Sequence, residues 1–191
     1  MGFVDPQIDC SAAAYVHPSA FLYGRVTLGE NASVWINAAM RAEMHEIRIG
    51  AYSNIQDFVM VHVGDRTPTI VGSHCSITHH VTLHGCTVGD NCLIGINATL
   101  MDGVVVGENS IVAGHTILSE GTVIPPNSIV MGVPGKVVKT LDNSARTRVN
   151  AMLYHRNALA YSEGNYRAWS DPALQTEILA ELERLRRGGS S

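Results

Sequence analysis

The chain has 191 residues, of which 46% are hydrophobic and 16% are charged, and its formal net charge is -4 at pH 7. This length and composition predict one soluble domain with a short appendage. Because no long run of Lys or Arg is present, neither nucleic acid nor an anionic membrane is an expected partner. A small molecule or another copy of the chain is the expected partner instead.

Two further features indicate the compartment. Residues 1–10 lack the basic and apolar regions of a secretory signal, and no uninterrupted apolar stretch is long enough to span a bilayer. The cysteines at positions 10, 75, 86 and 92 form no Cys-x-x-Cys pair. We therefore expect a cytoplasmic protein whose cysteines persist as thiols.

A six-residue repeat runs through most of the chain. Its aliphatic anchors are Val16, Leu22, Leu28, Val34, Met40, Ile49, Ile55, Val61, Val71, Ile77, Leu83, Val88, Ile94, Leu100, Val106, Val112, Leu118, Ile124 and Val130. A unit with one inward anchor is typical of a short strand plus a turn, and three such units close one coil of a parallel β-helix. Roughly six coils of about 18 residues fit between Val16 and Met131. A β-sandwich would need alternation with a period of two, which this segment lacks.

The breaks in the repeat set the predicted boundaries. Residues 41–48 and 64–69 interrupt the spacing and are expected to form surface loops. After residues 133–136 the pattern becomes helical over 146–161 and 174–187. The sequence thus predicts an all-β fold class, with a β-helix domain of residues 1–140, a C-terminal helical appendage of residues 141–187 and a disordered tail of residues 188–191.

The repeat register places three histidines. Leu83 lies three units after Val61, so His62 and His84, which follow these anchors, are expected to stack at the inter-strand spacing of about 4.8 Å. The same count places Arg41 at the head of this column. Two imidazoles at this spacing can bind one metal ion.

His79 falls on a different face. It lies two residues after anchor Ile77, and is therefore expected to stack beside Asp57, which lies two residues after Ile55. A third metal ligand would then come from another subunit, which favours a cyclic trimer with metal sites at its interfaces. Three histidines with an open position for water form a catalytic zinc site, which lowers the pKa of the water to about 7. Ferrous iron and cobalt also suit this ligand set.

The motif Asn54-Ile55-Gln56-Asp57, followed by His62 and by His79-His80-Val81-Thr82-Leu83-His84-Gly85-Cys86, resembles the γ-class carbonic anhydrase family. Residues 93–98, 101–103 and 130–136 continue the match. The resemblance covers most of residues 10–140. It implies a left-handed parallel β-helix, a homotrimer with three interfacial zinc or iron sites, and reversible hydration of carbon dioxide to bicarbonate.

The resemblance also implies roles for individual residues. His62 and His84 would bind the metal from one subunit and His79 from its neighbour. Gln56 would orient the metal-bound hydroxide, and Asn54 would help to place carbon dioxide. The remaining implied roles are an ion pair between Arg41 and Asp57 across the subunit interface, and contact of Tyr154 with the site.

The chain departs from the family pattern in two segments. Arg41-Ala42-Glu43 stands where the family has Arg-Gly-Asp, so that a longer carboxylate, Glu43, occupies a candidate catalytic position, and Thr78 replaces a glycine. The acidic shuttle loop of the family's prototype is not present in full. Candidate groups for proton export are Glu43, Asp65, His45 and His80.

Two other classes of function stay open. Hexapeptide solenoids also form acyltransferases, in which a histidine acts as general base, and acyl or thioester chemistry is the first alternative. A non-catalytic protein that binds metal or siderophore is the second. Bound metal would argue against acyl transfer, whereas ligand binding without turnover would favour the binding protein.

Overall fold

The structure, a computed structural model, describes residues 2–188. Its strands are β1 Phe3–Val4, β2 Tyr15–Val16, β3 Phe21–Leu28, β4 Ser33–Val34, β5 Ala39–Ile49, β6 Asn54–Ile55, β7 Met60–His62, β8 Thr69–Val71, β9 Ser76–Ile77, β10 Thr82–His84, β11 Thr87–Val88, β12 Leu93–Ile94, β13 Thr99–Leu100, β14 Val105–Val106, β15 Ile111–Val112, β16 Ile117–Leu118, β17 Val123–Ile124, β18 Ser128–Gly132 and β19 Gly135–Thr140. The helices are α1 Ser144–Ser162, a 3-10 helix Ala168–Ser170 and α2 Pro172–Gly188.

The strands form the three faces of a parallel β-helix. Face 1 contains β2, β4, β6, β9, β12, β15 and β18. The long strands β3 and β5 bend so that their first halves continue into face 2, with β7, β10, β13 and β16, and their second halves into face 3, with β8, β11, β14 and β17. Six coils therefore separate the first and last parallel strands of face 1, as the repeat predicts, and the predicted fold class is confirmed.

The anchors fill the interior of the β-helix. Every predicted anchor from Leu22 to Val130 is buried, and Val16 is partly buried at the first coil. Leu83 pairs with Val61 on one side and with Leu100 on the other, so that like residues stack along the axis. Burial of each such side chain contributes about 1.5–3 kcal/mol to the free energy of folding, so the stacked anchors stabilise the β-helix along its whole length.

Left-handed backbone at the corners turns the chain from face to face. Corner 3–1, between faces 3 and 1, has positive φ at Asn31, Tyr52, His74, Asn91, Asn109 and Asn127, and corner 1–2 has it at Asn37, Phe58, His80, Asn97 and His115. Corner 2–3 uses Gly85, Gly103 and Gly121 instead. Asn is among the residues that best tolerate this conformation, which explains its recurrence at two of the three corners.

One of the two predicted surface loops is wrong. Residues 41–48 lie within the continuous strand β5, which pairs with β3 on both sides of a bulge. The register shifts between Gly24 and Val26, so that residues 43–46 of β5 stand opposite the single residue Arg25. The second prediction is confirmed, since residues 64–68 connect β7 to β8 without regular structure.

The C-terminal segment closes and covers the β-helix. Strand β19 folds back antiparallel on β18. Helix α1 then contacts β2, β4, β6 and β9 and covers part of face 1, while α2 packs on α1. Gly188, predicted to begin a disordered tail, is the last residue of α2, and residues 189–191 lie outside the described part. Across residues 2–188 we find no helix with the length and apolar character needed to cross a bilayer.

Candidate active site

Two histidines meet at the end of face 2. His62 ends β7 and His84 ends β10, and the two residues pair in register, which confirms the predicted stacking. Arg41, on the neighbouring strand β5, pairs in register with His62 on its other side. His62 Nδ1 lies 3.1 Å from His84 Nε2. Two ligands of a tetrahedral zinc ion would lie about 3.3–3.4 Å apart, given Zn–N distances of about 2.0–2.1 Å.

Carboxylates contact the outer nitrogens of both rings. His84 Nδ1 lies 3.0 Å from Asp102 Oδ2, and His62 Nε2 lies 3.2 Å from Glu43 Oε2. An ionised carboxylate only accepts hydrogen bonds, so each outer nitrogen carries the hydrogen of its neutral ring. The two facing nitrogens then present lone pairs to each other, an arrangement that a cation between them would satisfy. The donor set thus fits a metal ion.

Glu43 also contacts Arg41, which places a positive charge beside this carboxylate. Desolvation acts to raise the pKa of Glu43, but hydrogen bonds from its own backbone, Arg41 and His62 lower it below its ordinary value. Glu43 therefore remains ionised at neutral pH and holds the hydrogen of His62 in place.

The carboxylate of Asp102 packs closely against two glycines, Gly64 and Gly85. Thr67 Oγ1 donates to Asp102 Oδ1 at 3.1 Å, and a Cβ at either Gly64 or Gly85 would overlap the same carboxylate. The absence of side chains at these two positions lets Asp102 approach His84. Sequence reasoning assigned no role to Asp102, and its signal would have been the turn Asp102-Gly103 that directly follows face 2.

A second group lies at corner 1–2. His79 Nδ1 is 2.8 Å from Asp57 Oδ2, which confirms the predicted stacking of these residues. The hydrogen on Nδ1 points to the carboxylate, and Nε2 is the free acceptor. The geometry is that of a histidine ligand oriented by a carboxylate.

Tyr154 of α1 approaches this second group. Burial raises the pKa of Tyr154 to about 12, with further contributions from the negative charge of Asp57 and from Tyr161. Its phenol is therefore protonated at neutral pH. Tyr154, Asp57 and His79 line one cavity of about 220 Å³.

Asn54 and Gln56 lie on face 1, and both are buried. Gln56 Nε2 donates to Asn54 Oδ1 at 2.9 Å, and Asn54 Nδ2 in turn donates to Ser76 Oγ at 3.1 Å and to the Cys75 carbonyl oxygen at 3.3 Å. These bonds fix both amides and leave Gln56 Oε1 as an acceptor.

The two groups occupy different corners of the β-helix. His62 and His84 lie at corner 2–3, and His79 lies at corner 1–2, with a strand of face 2 between them. Four residues lie between His79 and His84, and they include the left-handed corner residue His80 and the first two residues of β10. Over residues 2–188, no three His, Cys, Asp or Glu side chains are grouped so as to hold one metal ion. Within one chain the predicted site is therefore two separate halves.

The predicted interface residues also divide between the halves. Arg41 contacts Glu43 at the first group, and Asp57 contacts His79 at the second. The predicted ion pair between Arg41 and Asp57 would form between two subunits, not within one chain.

Comparison with known proteins gives the family. Over 142 residues the chain is 49% identical to a protein named "Probable carbonic anhydrase" from Methanocaldococcus jannaschii, with 74% of this chain and 86% of that relative covered. It is 42% identical over 96 residues to "Gamma carbonic anhydrase 1, mitochondrial" from Arabidopsis thaliana, which covers 47% of this chain but 35% of that relative.

A family description and a solved structure agree on the scaffold. The family model described as "Bacterial transferase hexapeptide (six repeats)" matches residues 85–120. A hexapeptide transferase family protein from Anaplasma phagocytophilum superposes with a TM-score of 0.66 at 29% identity, with 78% of this chain and 90% of that chain covered. With the identity and coverage of the Methanocaldococcus relative, these matches show that the chain belongs to the γ-class carbonic anhydrase-like family of hexapeptide-repeat proteins.

Proposed function

We propose that the chain catalyses the reversible hydration of carbon dioxide to bicarbonate, at sites shared between the subunits of a homotrimer. The observation that carries this proposal is the pair His62 Nδ1 and His84 Nε2, 3.1 Å apart, with a carboxylate on each outer nitrogen. The 49% identity to a protein named probable carbonic anhydrase supports it.

The metal would be held by His62 and His84 of one subunit and by His79 of a neighbouring subunit. Three imidazoles suit zinc, ferrous iron and cobalt, so the ligand set alone does not select among these metals and their availability decides which one binds. When bound, the ion would supply Lewis-acid chemistry that lowers the pKa of the attacking water to about 7.

The carboxylates of the chain hold the ligands in the form that binds a cation. Asp102 keeps the hydrogen of His84 on Nδ1, and Asp57 does the same for His79. Such outer partners fix the ring orientation and raise the basicity of the ligand. We assign Arg41 and Asp57 to an ion pair across the interface, which would bring the two corners together.

Gln56 is the residue that would orient the attacking water. Its amide nitrogen donates to Asn54, which leaves the carbonyl Oε1 available as an acceptor for a hydrogen of that water. Asn54 accepts a hydrogen bond from Gln56 and so holds its amide, and we assign Asn54 to placing carbon dioxide as well. Tyr154 adds a neutral phenol beside His79.

A proton must leave the site in each hydration cycle. The Glu43 carboxyl contacts His62, and its side chain is 47% exposed, so this group links the ligand column to solvent. A positioned carboxylate of this kind can pass the proton to water. We assign Glu43 to this step ahead of His45, Asp65 and His80.

The test is stopped-flow hydration of carbon dioxide by protein reconstituted separately with zinc and, without oxygen, with ferrous iron. His84→Ala is the blank, because it removes one ligand from the column. Hydration well above this blank in either metal form is the expected result. A loaded protein with no activity above the blank would overturn the proposal.

Acyl transfer is the second candidate, because the family model that matches residues 85–120 is described as a bacterial transferase. Its test is release of free thiol from acetyl-CoA in the presence of amine or alcohol acceptors. Thiol release that survives removal of metal, together with absent hydration, would favour this class.

A further inference from the structure

A second cavity, of about 290 Å³, lies at corner 3–1, between the β-helix and the two long helices. Corner 3–1 is opposite face 2, whose two ends carry the halves of the candidate metal site. The cavity therefore lies apart from that site and shares no residue with it. Its walls are Tyr52 and His74 from corner 3–1, Arg148, Met152 and His155 from successive turns of α1, and Glu181 and Leu185 from α2.

The corner residues at this cavity depart from the pattern of their column. Four of the six left-handed residues of corner 3–1 are Asn, and the other two, Tyr52 and His74, are those that line the cavity. A tyrosine ring suits left-handed backbone less well than Asn does. The rings of Tyr52 and His74 stack with their centroids 5.0 Å apart and an interplanar angle of 15°. The cavity thus has a flat aromatic wall where the backbone favours a small amide.

One positive charge at this cavity has no partner. Among the described side chains, no carboxylate lies within ion-pair distance of Arg148. Glu181 does not neutralise Arg148, because Arg184 donates to both carboxylate oxygens of Glu181, at 2.7 and 2.5 Å. Arg184 also contributes more than Arg148 to the lowered pKa of Glu181. An anion in the cavity would therefore find an available guanidinium.

The two histidines add no charge at neutral pH. Desolvation, followed by the positive charge of Arg148, lowers the pKa of His74 to about 4. Desolvation, followed by the positive charge of Arg156, also lowers the pKa of His155 below its ordinary value. Both imidazoles are therefore neutral walls, and Met152 is an apolar one. These surroundings suit a ligand with one negative charge on a flat, apolar body.

A carboxylate attached to one aromatic ring meets these requirements. A guanidinium binds a carboxylate through two parallel hydrogen bonds, which suits a single unpaired arginine. An aromatic ring packs favourably on a wall of stacked rings. The volume is just below the roughly 300–1,000 Å³ of pockets for drug-sized ligands, so a ligand with one ring fits best.

We infer that this cavity binds a small aromatic carboxylate, whose carboxylate is held by Arg148 and whose ring packs on Tyr52 and His74. The inference does not rest on the proposed hydration reaction, because the two sites use different residues on opposite sides of the β-helix.

The test is isothermal titration of the zinc-loaded full chain with benzoate and with benzamide, its uncharged isostere. We expect saturable benzoate binding about tenfold tighter than benzamide binding, since the charged hydrogen bonds to Arg148 are partly screened by solvent. Acetate, which has the charge without the ring, should bind about tenfold more weakly than benzoate.

Variants locate the binding site. Arg148→Met removes the charge but keeps an apolar side chain, so it should weaken benzoate binding about tenfold and leave benzamide binding unchanged. Arg146→Met is the matched control, since this exposed arginine of the same helix does not line the cavity. Circular dichroism checks that each variant is folded.

A carboxylate is also a ligand for zinc, so His84→Ala is titrated with benzoate in parallel. We expect His84→Ala to bind benzoate as the parent does. Loss of binding in His84→Ala with full binding in Arg148→Met would place benzoate on the metal and overturn the inference.

The inference would also be overturned by equal binding of benzoate and benzamide, by the absence of saturable benzoate binding, or by an equal loss in Arg146→Met. No turnover is measured in these titrations. A protein without hydratase activity would therefore leave this test intact, and failure of the benzoate test would leave the proposed hydration reaction standing.

Discussion

Asp102 determines which nitrogen of His84 carries the hydrogen. Its Oδ2 lies 3.0 Å from His84 Nδ1, so Asp102→Asn removes a charged acceptor without removing bulk. We expect the affinity for zinc to fall about 10–100-fold, the usual effect of losing a carboxylate behind a histidine ligand. Competition with a chromogenic chelator measures this affinity.

The matched control for Asp102→Asn is Asp65→Asn, which makes the same change at an exposed position on the loop after β7. Unchanged zinc affinity in Asp102→Asn would mean that Asp102 serves the packing of the corner alone.

Gly85 leaves room for the carboxylate of Asp102. Gly85→Ala places a Cβ against the Asp102 carboxylate at a residue with φ of 56°, whereas Gly121→Ala has a similar φ of 68° and meets nothing within 4 Å. We expect Gly121→Ala to cost about 1 kcal/mol of unfolding free energy from backbone strain alone. Gly85→Ala should cost more and should also lower zinc affinity.

Denaturant unfolding and chelator competition on the two alanine variants check this prediction. Equal losses of stability in both variants, with full zinc affinity, would contradict this prediction. Such a result would mean that the close contact between Gly85 and Asp102 has no role in the site.

The ligand column was predictable from sequence, but its carboxylate support was not. A constant register places His84 beside His62 and His79 beside Asp57, since each pair has equal spacing from buried anchors. Asp102 lies one residue beyond the position that pairs with His84, because Leu83 pairs with Leu100. Its contact depends on the turn after β13, where side-chain direction no longer follows the strand.

At the scale of elements, corner 3–1 carries a histidine in an unusual setting. The ring of His74 stacks on Tyr52 and faces Arg148 of α1. Desolvation, followed by the positive charge of Arg148, lowers the pKa of His74 to about 4. In the unfolded chain the same group titrates near 6.5.

The sign of the resulting pH dependence follows from proton binding. Between about pH 6.5 and pH 4 the unfolded chain binds a proton at His74 that the folded chain rejects, so stability falls as the pH is lowered through this window. Because the ring is partly exposed to solvent, we discount the full effect and expect about 1 kcal/mol.

The variant His74→Asn removes the titrating ring and keeps a residue that tolerates the left-handed backbone. We expect it to lose about 1 kcal/mol less than the parent between pH 7 and pH 4 in urea unfolding. His115→Asn is the control, at a left-handed position of corner 1–2 where the ring is exposed. Identical pH profiles in all three proteins would contradict the assignment.

The repeat predicted the elements of the β-helix, and deviations arose where strands leave the repeat. Residues 41–48 were expected to form a loop, but they lie in β5, whose two ends pair with β3 and whose residues 43–46 form a bulge opposite Arg25. Strand β19 was not predicted, because Gly135–Thr140 carries no anchor and is largely exposed. The packing of Trp35 on Tyr154 and Tyr161 was not predicted either, because residues of α1 do not follow the repeat register.

At the scale of the whole molecule, the candidate site is divided between two corners. His62 and His84 belong to corner 2–3, and His79 belongs to corner 1–2. If the site forms between subunits, a His62→Ala chain still offers His79, and a His79→Ala chain still offers His62 and His84. Each variant alone should be inactive.

Mixing the two variants by unfolding and refolding together should restore activity. With equal amounts and random assembly, about one quarter of the interfaces receive all three ligands. Refolding the His62→Ala chain with a His84→Ala chain is the matched control, because these ligands come from the same corner and no interface is complete. Activity in the control, or none in the first mixture, would contradict a shared site.

The antiparallel strand β19 has a consequence for how far such a fold can grow. A stack of parallel coils could in principle accept another molecule's coil at its exposed end, and continue as a fibre. Here the last parallel strand of face 1, β18, is already paired by a strand running in the opposite direction, with Lys136 and Lys139 along it. The reversed strand direction and the two lysines make this edge of face 1 a poor template for a further parallel strand. The stack of coils therefore ends at β19 on this face.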